Sequence, residues 1–125
     1  MDIIYTPLFP SRILVSIGED RTELLETLKD FGAKQKNIEK TRKYKATGSF
    51  GYFIDEINTC VIVFNKASSS NSWYGELAHN VYNAVTHILE HHEVYPCEET
   101  QNVYAYMIGE FTELILDNLK EKLNS

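Results

Sequence analysis

Residues 48–65 read GSFGYFIDEINTCVIVFN, and this stretch decides the fold class. Two runs rich in aromatic and β-branched residues, GSFGYFI and TCVIVFN, flank the polar break DEIN. That pattern predicts a β-hairpin. The second arm is apolar from Cys60 to Phe64, so it is expected to be well buried, and it is far too short to cross a bilayer. Upstream, Arg12 to Ile17 read RILVSI, a second short strand, with Pro7 and Pro10 favouring an extended lead-in. Between the two lies a helix pattern. Asp20 can cap it, Leu24, Leu25, Leu28 and Phe31 fall on one face, and Gly32 stops it.

Downstream the period changes from two to three and four. Ser70, Asn71 and Ser72 are capping candidates for a long helix from about Trp73 to Glu90, with Leu77, Val81, Val85 and Ile88 on one side. A last helix is expected from about Glu98 to Leu123, burying Val103, Met107, Phe111, Leu114, Ile115 and Leu119. A small sheet (strand, helix, β-hairpin) beside two long C-terminal helices makes an α+β fold. The 125 residues suit a single domain over 1–125, and 43% hydrophobic with 24% charged residues argues against disorder. The opening MDIIYTPLFPSR has neither a basic nor a long apolar region, so no signal peptide is expected. Two cysteines make no disulfide framework, and a reducing compartment is the simplest reading.

The net charge of -6 weighs against nucleic acid as a partner, but the charge is uneven. Lys34, Lys36, Lys40, Arg42, Lys43 and Lys45 are half of the twelve basic residues, interrupted only by Glu39. The rest of the chain carries six basic residues against seventeen acidic ones. One reading is a solvated connector; the other is a contact patch for an acidic partner, centred on Lys40, Arg42, Lys43 and Lys45.

The first long helix carries the sequence ELAHNVYNAVTHIL from Glu76 to Leu89. His79 and Asn83 are four apart and therefore one turn above each other. In zinc peptidases two histidines hold that spacing, and a glutamate directly after the first is the general base on the metal-bound water. With PLFPSRILV, TCVIVFN and NVYAYMIGEFTE, the chain resembles over most of its length the small zincin-like proteins with an HExxH helix encoded by bacteriophages and prophages. The resemblance implies a minimal zincin-like fold, with TCVIVFN as the edge strand before the active helix.

The motif is degenerate. Asn80 stands where the family has its glutamate, Asn83 where it has its second histidine, and Asn102 where it has its third ligand. A carboxamide has no useful basicity, and amide oxygens suit hard cations better than zinc. The resemblance thus implies a phage-encoded, non-catalytic protein without a cofactor. It would act as a structural, assembly or host-protein-binding factor in the virion or the host cytoplasm, with a phage or host protein as partner. His79, Asn80, Asn83 and Asn102 would cluster in the former cleft, either as a hydrogen-bonded plug or as a pocket for a peptide or small ligand.

A rival reading keeps zinc catalysis with non-standard ligands drawn from His79, His87, His91 and nearby glutamates. HxxxH alone is half a metal site, and histidine near a helix C-terminus is favoured by the dipole. Cys60 reads as a core thiol and Cys97 as a loop cysteine. Trp73 either closes the cleft mouth or staples the helix start. Tyr82, Tyr95, Tyr104 and Tyr106 suit packing boundaries, and make self-association plausible.

Overall fold

The structure, a computed structural model, describes residues 1–8, 10–44 and 48–124. Strands β1 (Asp2–Tyr5), β2 (Arg12–Ile17), β3 (Ser49–Ile54) and β4 (Thr59–Phe64) form one sheet in the order β1-β2-β4-β3. β1 and β3 run antiparallel to their neighbours, whereas β2 and β4 are parallel. The chain is therefore α+β with a mixed sheet. The hairpin is as its sequence predicts: Asp55–Ile57 make one 3-10 turn, and Asn58 (φ 49) closes it in the left-handed region that asparagine tolerates.

Burial follows from alternation along the strands. Ile13, Val15, Ile17, Cys60, Ile62 and Phe64 face one way, into a core completed by helices α3 (Asn71–His91) and α4 (Gln101–Leu123). Leu14, Phe50, Ile54, Val61 and Val63 face the other way, against α1 (Thr22–Asp30) and Ile38 of α2 (Gln35–Lys43). The sheet is thus sandwiched between two helical layers. Among the described residues no helix is long and apolar enough to cross a membrane.

Four expectations change. β4 is not the edge strand that the resemblance implies: it lies between β2 and β3, which is why all six of its residues are buried. The edge beside α3 is β3. The described part of the basic run is no loose connector, since Gln35–Lys43 is helical. The lead-in at Pro7 and Pro10 is not extended: the chain bends at Pro7 and Leu8, with the Ser11 N–H on the Leu8 carbonyl at 2.9 Å, and the sequence does not announce β1, a four-residue strand held by β2. Finally, α4 starts at Gln101 rather than near Glu98, and its buried face is rotated. Val103 and Leu114 are 45% and 42% exposed, while Tyr104 and Asn118 take the inner positions. Tyr104 can be buried because its hydroxyl donates to the Val94 carbonyl at 2.6 Å.

The helix ends explain the boundaries. Gly32 (φ +94) ends α1 with the Ala33 N–H on the Leu28 carbonyl at 2.9 Å and the Gly32 N–H on the Lys29 carbonyl at 3.0 Å. α3 ends in the same way, but Glu93 (φ 63) occupies the left-handed position, with the Val94 N–H on the Leu89 carbonyl at 2.8 Å. An L side chain there is strained by about 1 kcal/mol. Glu93→Gly is expected to raise the melting temperature by roughly 3–5 °C, as thermal denaturation would show. An unchanged or lower melting temperature would mean that the Glu93 side chain makes a compensating contact.

Candidate functional site

α3 crosses the sheet beside β3, and the two meet through a short polar chain. The Asn80 side chain, 5% exposed, donates through Nδ2 to Ser49 Oγ at 2.9 Å and to the Glu76 carbonyl at 2.9 Å. Ser49 Oγ donates in turn to Glu76 Oε1 at 3.2 Å. Asn80 Oδ1 faces Gly51, where an added Cβ would sit 2.7 Å from it and 3.3 Å from the Val61 carbonyl. Glycine inside a strand marks such a close approach. Gly51→Ala therefore forces Asn80 out of its hydrogen bonds, at an expected cost of about 1–2 kcal/mol. In an Asn80→Ala background the same change should cost clearly less. A double-mutant cycle in urea measures this, and strict additivity would show that the two residues do not collide.

Beside this joint runs a groove of about 510 Å³. Its floor is Ser49 to Tyr52 of β3; Lys40 and Tyr44 form one wall, and Gly75, Glu76, His79 and Asn80 of α3 the other. Strand register sets what the floor offers. The Asn65 N–H bonds the Gly48 carbonyl at 2.9 Å, so the pairs Phe50↔Val63 and Tyr52↔Val61 carry the ladder. The N–H and C=O groups of Ser49, Gly51 and Phe53 then point away from β4, toward the open edge.

The α2 wall is held from both ends. The Glu56 carboxylate accepts from the Lys34 N–H at 2.9 Å and from Asn37 Nδ2 at 2.7 Å, and that Lys34 bond holds it below the usual carboxylate range. At the other end Arg21 Nη1 donates to the carbonyls of Thr41 at 2.7 Å, Arg42 at 3.3 Å and Tyr44 at 2.5 Å. Lys40 Nζ lies 4.5 Å from the centre of the Tyr52 ring, and burial pushes the Tyr52 hydroxyl up to about 12. Arg42 pairs with Glu39, and Lys43 Nζ lies 3.9 Å from the same carboxylate. Of the basic patch, Lys45 lies outside the described residues.

The four former-cleft positions do not all converge. His79 and Asn80 line the groove. Asn83 Nδ2 lies 3.1 Å from His79 Nε2 one turn away, on the exposed side of α3. Asn80 and Asn83 also border a small pocket of about 60 Å³ behind Gly51, with room for a water or two. Asn102 is exposed on the first turn of α4 and lines neither space.

His87 and His91 lie farther along α3, around the Phe53 ring at 6.1 and 5.3 Å between centroids, with Asp55, Glu90 and Tyr95 nearby. Among the described residues no three His, Cys, Asp or Glu side chains are placed to hold a metal ion, so His79, His87 and His91 do not assemble a site. Cys60 is buried and its thiol is pushed up by burial; Cys97 is exposed in the loop before α4.

Arg21, Ser49, Gly51, Tyr52, Glu56 and Glu76 were not singled out by sequence. Only Gly51, a glycine inside a strand pattern, carried a local signal. No protein-family model, curated protein or solved structure matches the chain.

Proposed function

We propose that this chain is a phage-encoded, zincin-like protein that works by binding rather than catalysis, and that its groove takes up an extended segment of a protein partner. The observation that carries the uptake of an extended segment is the groove floor. It is a strand edge uncovered by any other described strand, with exposed Gly51 at its centre, able to pair with one added strand through backbone hydrogen bonds. The walls of α2 and α3 favour a single chain over a second sheet. The chemistry of the site favours binding too: His79 is engaged by a carboxamide, and Asn80, standing where the resembled family has a base, is tied to Ser49 and Glu76.

Selection of linear peptides from a displayed library on the purified protein tests the reading. Enriched peptides should shift the amide resonances of Ser49, Gly51 and Phe53, and should bind at least tenfold more weakly to Gly51→Val. Peptides that shift resonances elsewhere, or ignore that change, would show that the groove is not the binding site. Zinc held at one equivalent and lost in His79→Ala, with chelator-sensitive peptide cleavage, would replace binding by catalysis.

A further inference from the structure

The basic run is folded into a helix whose buried side is Ile38 and Thr41. Its opposite side presents Lys36, Lys40 and Lys43, all exposed. The outer side of α4 presents Glu110, Glu113 and Asp117, also exposed, along a shallow groove opened by Ala105 and Gly109. The two stripes match in spacing. Lysines at 36, 40 and 43 are separated by four and three residues; run antiparallel, Asp117, Glu113 and Glu110 are separated by four and three. Each stripe spans roughly 10 Å of helix. The two helices lie on opposite faces of the sheet, so the two stripes of one chain cannot meet; within the chain Lys43 Nζ lies 3.9 Å from Glu39 and Lys40 Nζ 4.5 Å from the centre of the Tyr52 ring.

We propose that the basic stripe of α2 in one copy docks antiparallel on the acidic stripe of α4 in a second copy, joining chains head to tail. A second copy is the occupant because the charge is segregated within this chain. Half of all its basic residues sit in the run containing α2, and the remainder is strongly acidic. The contact is between different surfaces that point in opposite directions, so it repeats without closing and builds short linear assemblies. Exposed ion pairs are individually weak and screened by salt, so assembly belongs to high concentration and low ionic strength. Lys40 belongs both to this stripe and to the groove wall, whereas Lys36, Lys43 and the whole acidic stripe lie outside the groove.

Sedimentation velocity on the whole chain tests it. At low salt the average mass should climb with concentration beyond that of one chain, and fall back to a single chain at about 0.5 M salt. Lys36→Glu/Lys40→Glu/Lys43→Glu and Glu110→Lys/Glu113→Lys/Asp117→Lys should each be monomeric alone, and should assemble again when mixed, because each then supplies the stripe the other lacks. A parent that stays monomeric at millimolar concentration overturns the proposal. So does assembly that ignores salt, or a mixture of folded variants that does not recover it. Loss of peptide binding in Gly51→Val would leave this result untouched, which keeps the two proposals separable.

Discussion

Trp73→Ala is expected to lower the stability of the chain by about 3–5 kcal/mol, the range for emptying a buried aromatic site. Trp73 is 4% exposed in the first turn of α3, and its ring stacks on Phe64 with centroids 4.1 Å apart. Its indole N–H donates to the Lys66 carbonyl at 2.9 Å, which satisfies the one polar atom it buries. Alanine removes the stack, opens a cavity beside β4 and leaves that carbonyl without its donor. The residue is therefore a staple for the start of α3 rather than a lid on the groove. Because α3 forms one groove wall, peptide binding should weaken along with stability. Trp73→Phe keeps most of the volume but not the donor, and should cost about 1–2 kcal/mol. Trp73 is the chain's single tryptophan, so urea melts of the variants must be followed by far-ultraviolet circular dichroism. A loss below about 1 kcal/mol for Trp73→Ala would contradict the packing described.

Arg21→Ala is the second large effect. One guanidinium nitrogen serves three carbonyls at the C-terminal end of α2, and the group also lies 5.1 Å from the centre of the Phe50 ring. α2 buries only Ile38 and Thr41, so its apolar anchoring is slight and the charged clamp carries much of its docking. Removing the clamp is expected to cost about 2–3 kcal/mol, in keeping with hydrogen bonds to a charged donor. Arg21→Lys should recover less than half, since an ammonium lacks the planar fork. The readout that separates local from global loss is amide hydrogen exchange. Protection should fall in α2 while α3 and α4 keep theirs. Protection in α2 equal to the parent's would show that Ile38 and Glu56 suffice.

Both residues bear on how far the sequence could be read. RILVSI, TCVIVFN and the Leu77–Val81–Val85–Ile88 stripe each carry a period or an apolar run within a few residues, and each forms the element it predicts. Gly32 stops α1 where expected because a left-handed cap is a local demand. Along α4 the pattern agrees with burial at Met107, Phe111, Ile115 and Leu119 and disagrees at Val103 and Leu114. Hydropathy ranks valine above tyrosine, whereas the Val94 carbonyl lets Tyr104 go inside.

For the candidate site, sequence placed His79 and Asn80 on one helix and gave no hint of the wall opposite them. α2 has a single buried aliphatic residue, Ile38, so it offers no apolar stripe by which a helix could be read, and its docking depends on Arg21 and Glu56 from distant parts of the chain. Its position in the motif places Asn102 in the cleft; the loop through Cys97 and Thr100 instead starts α4 with that residue facing solvent.

Local pattern is enough for the main strands, the two long helices, their order and the uneven charge, because periodicity and composition are properties of neighbouring residues. Long-range packing settles which strand is the edge beside α3, that Gln35–Lys43 is a clamped helix, and that Gly51 lies open between α2 and α3. Those outcomes depend on pairings and hydrogen bonds between segments tens of residues apart, where no local pattern records the partner.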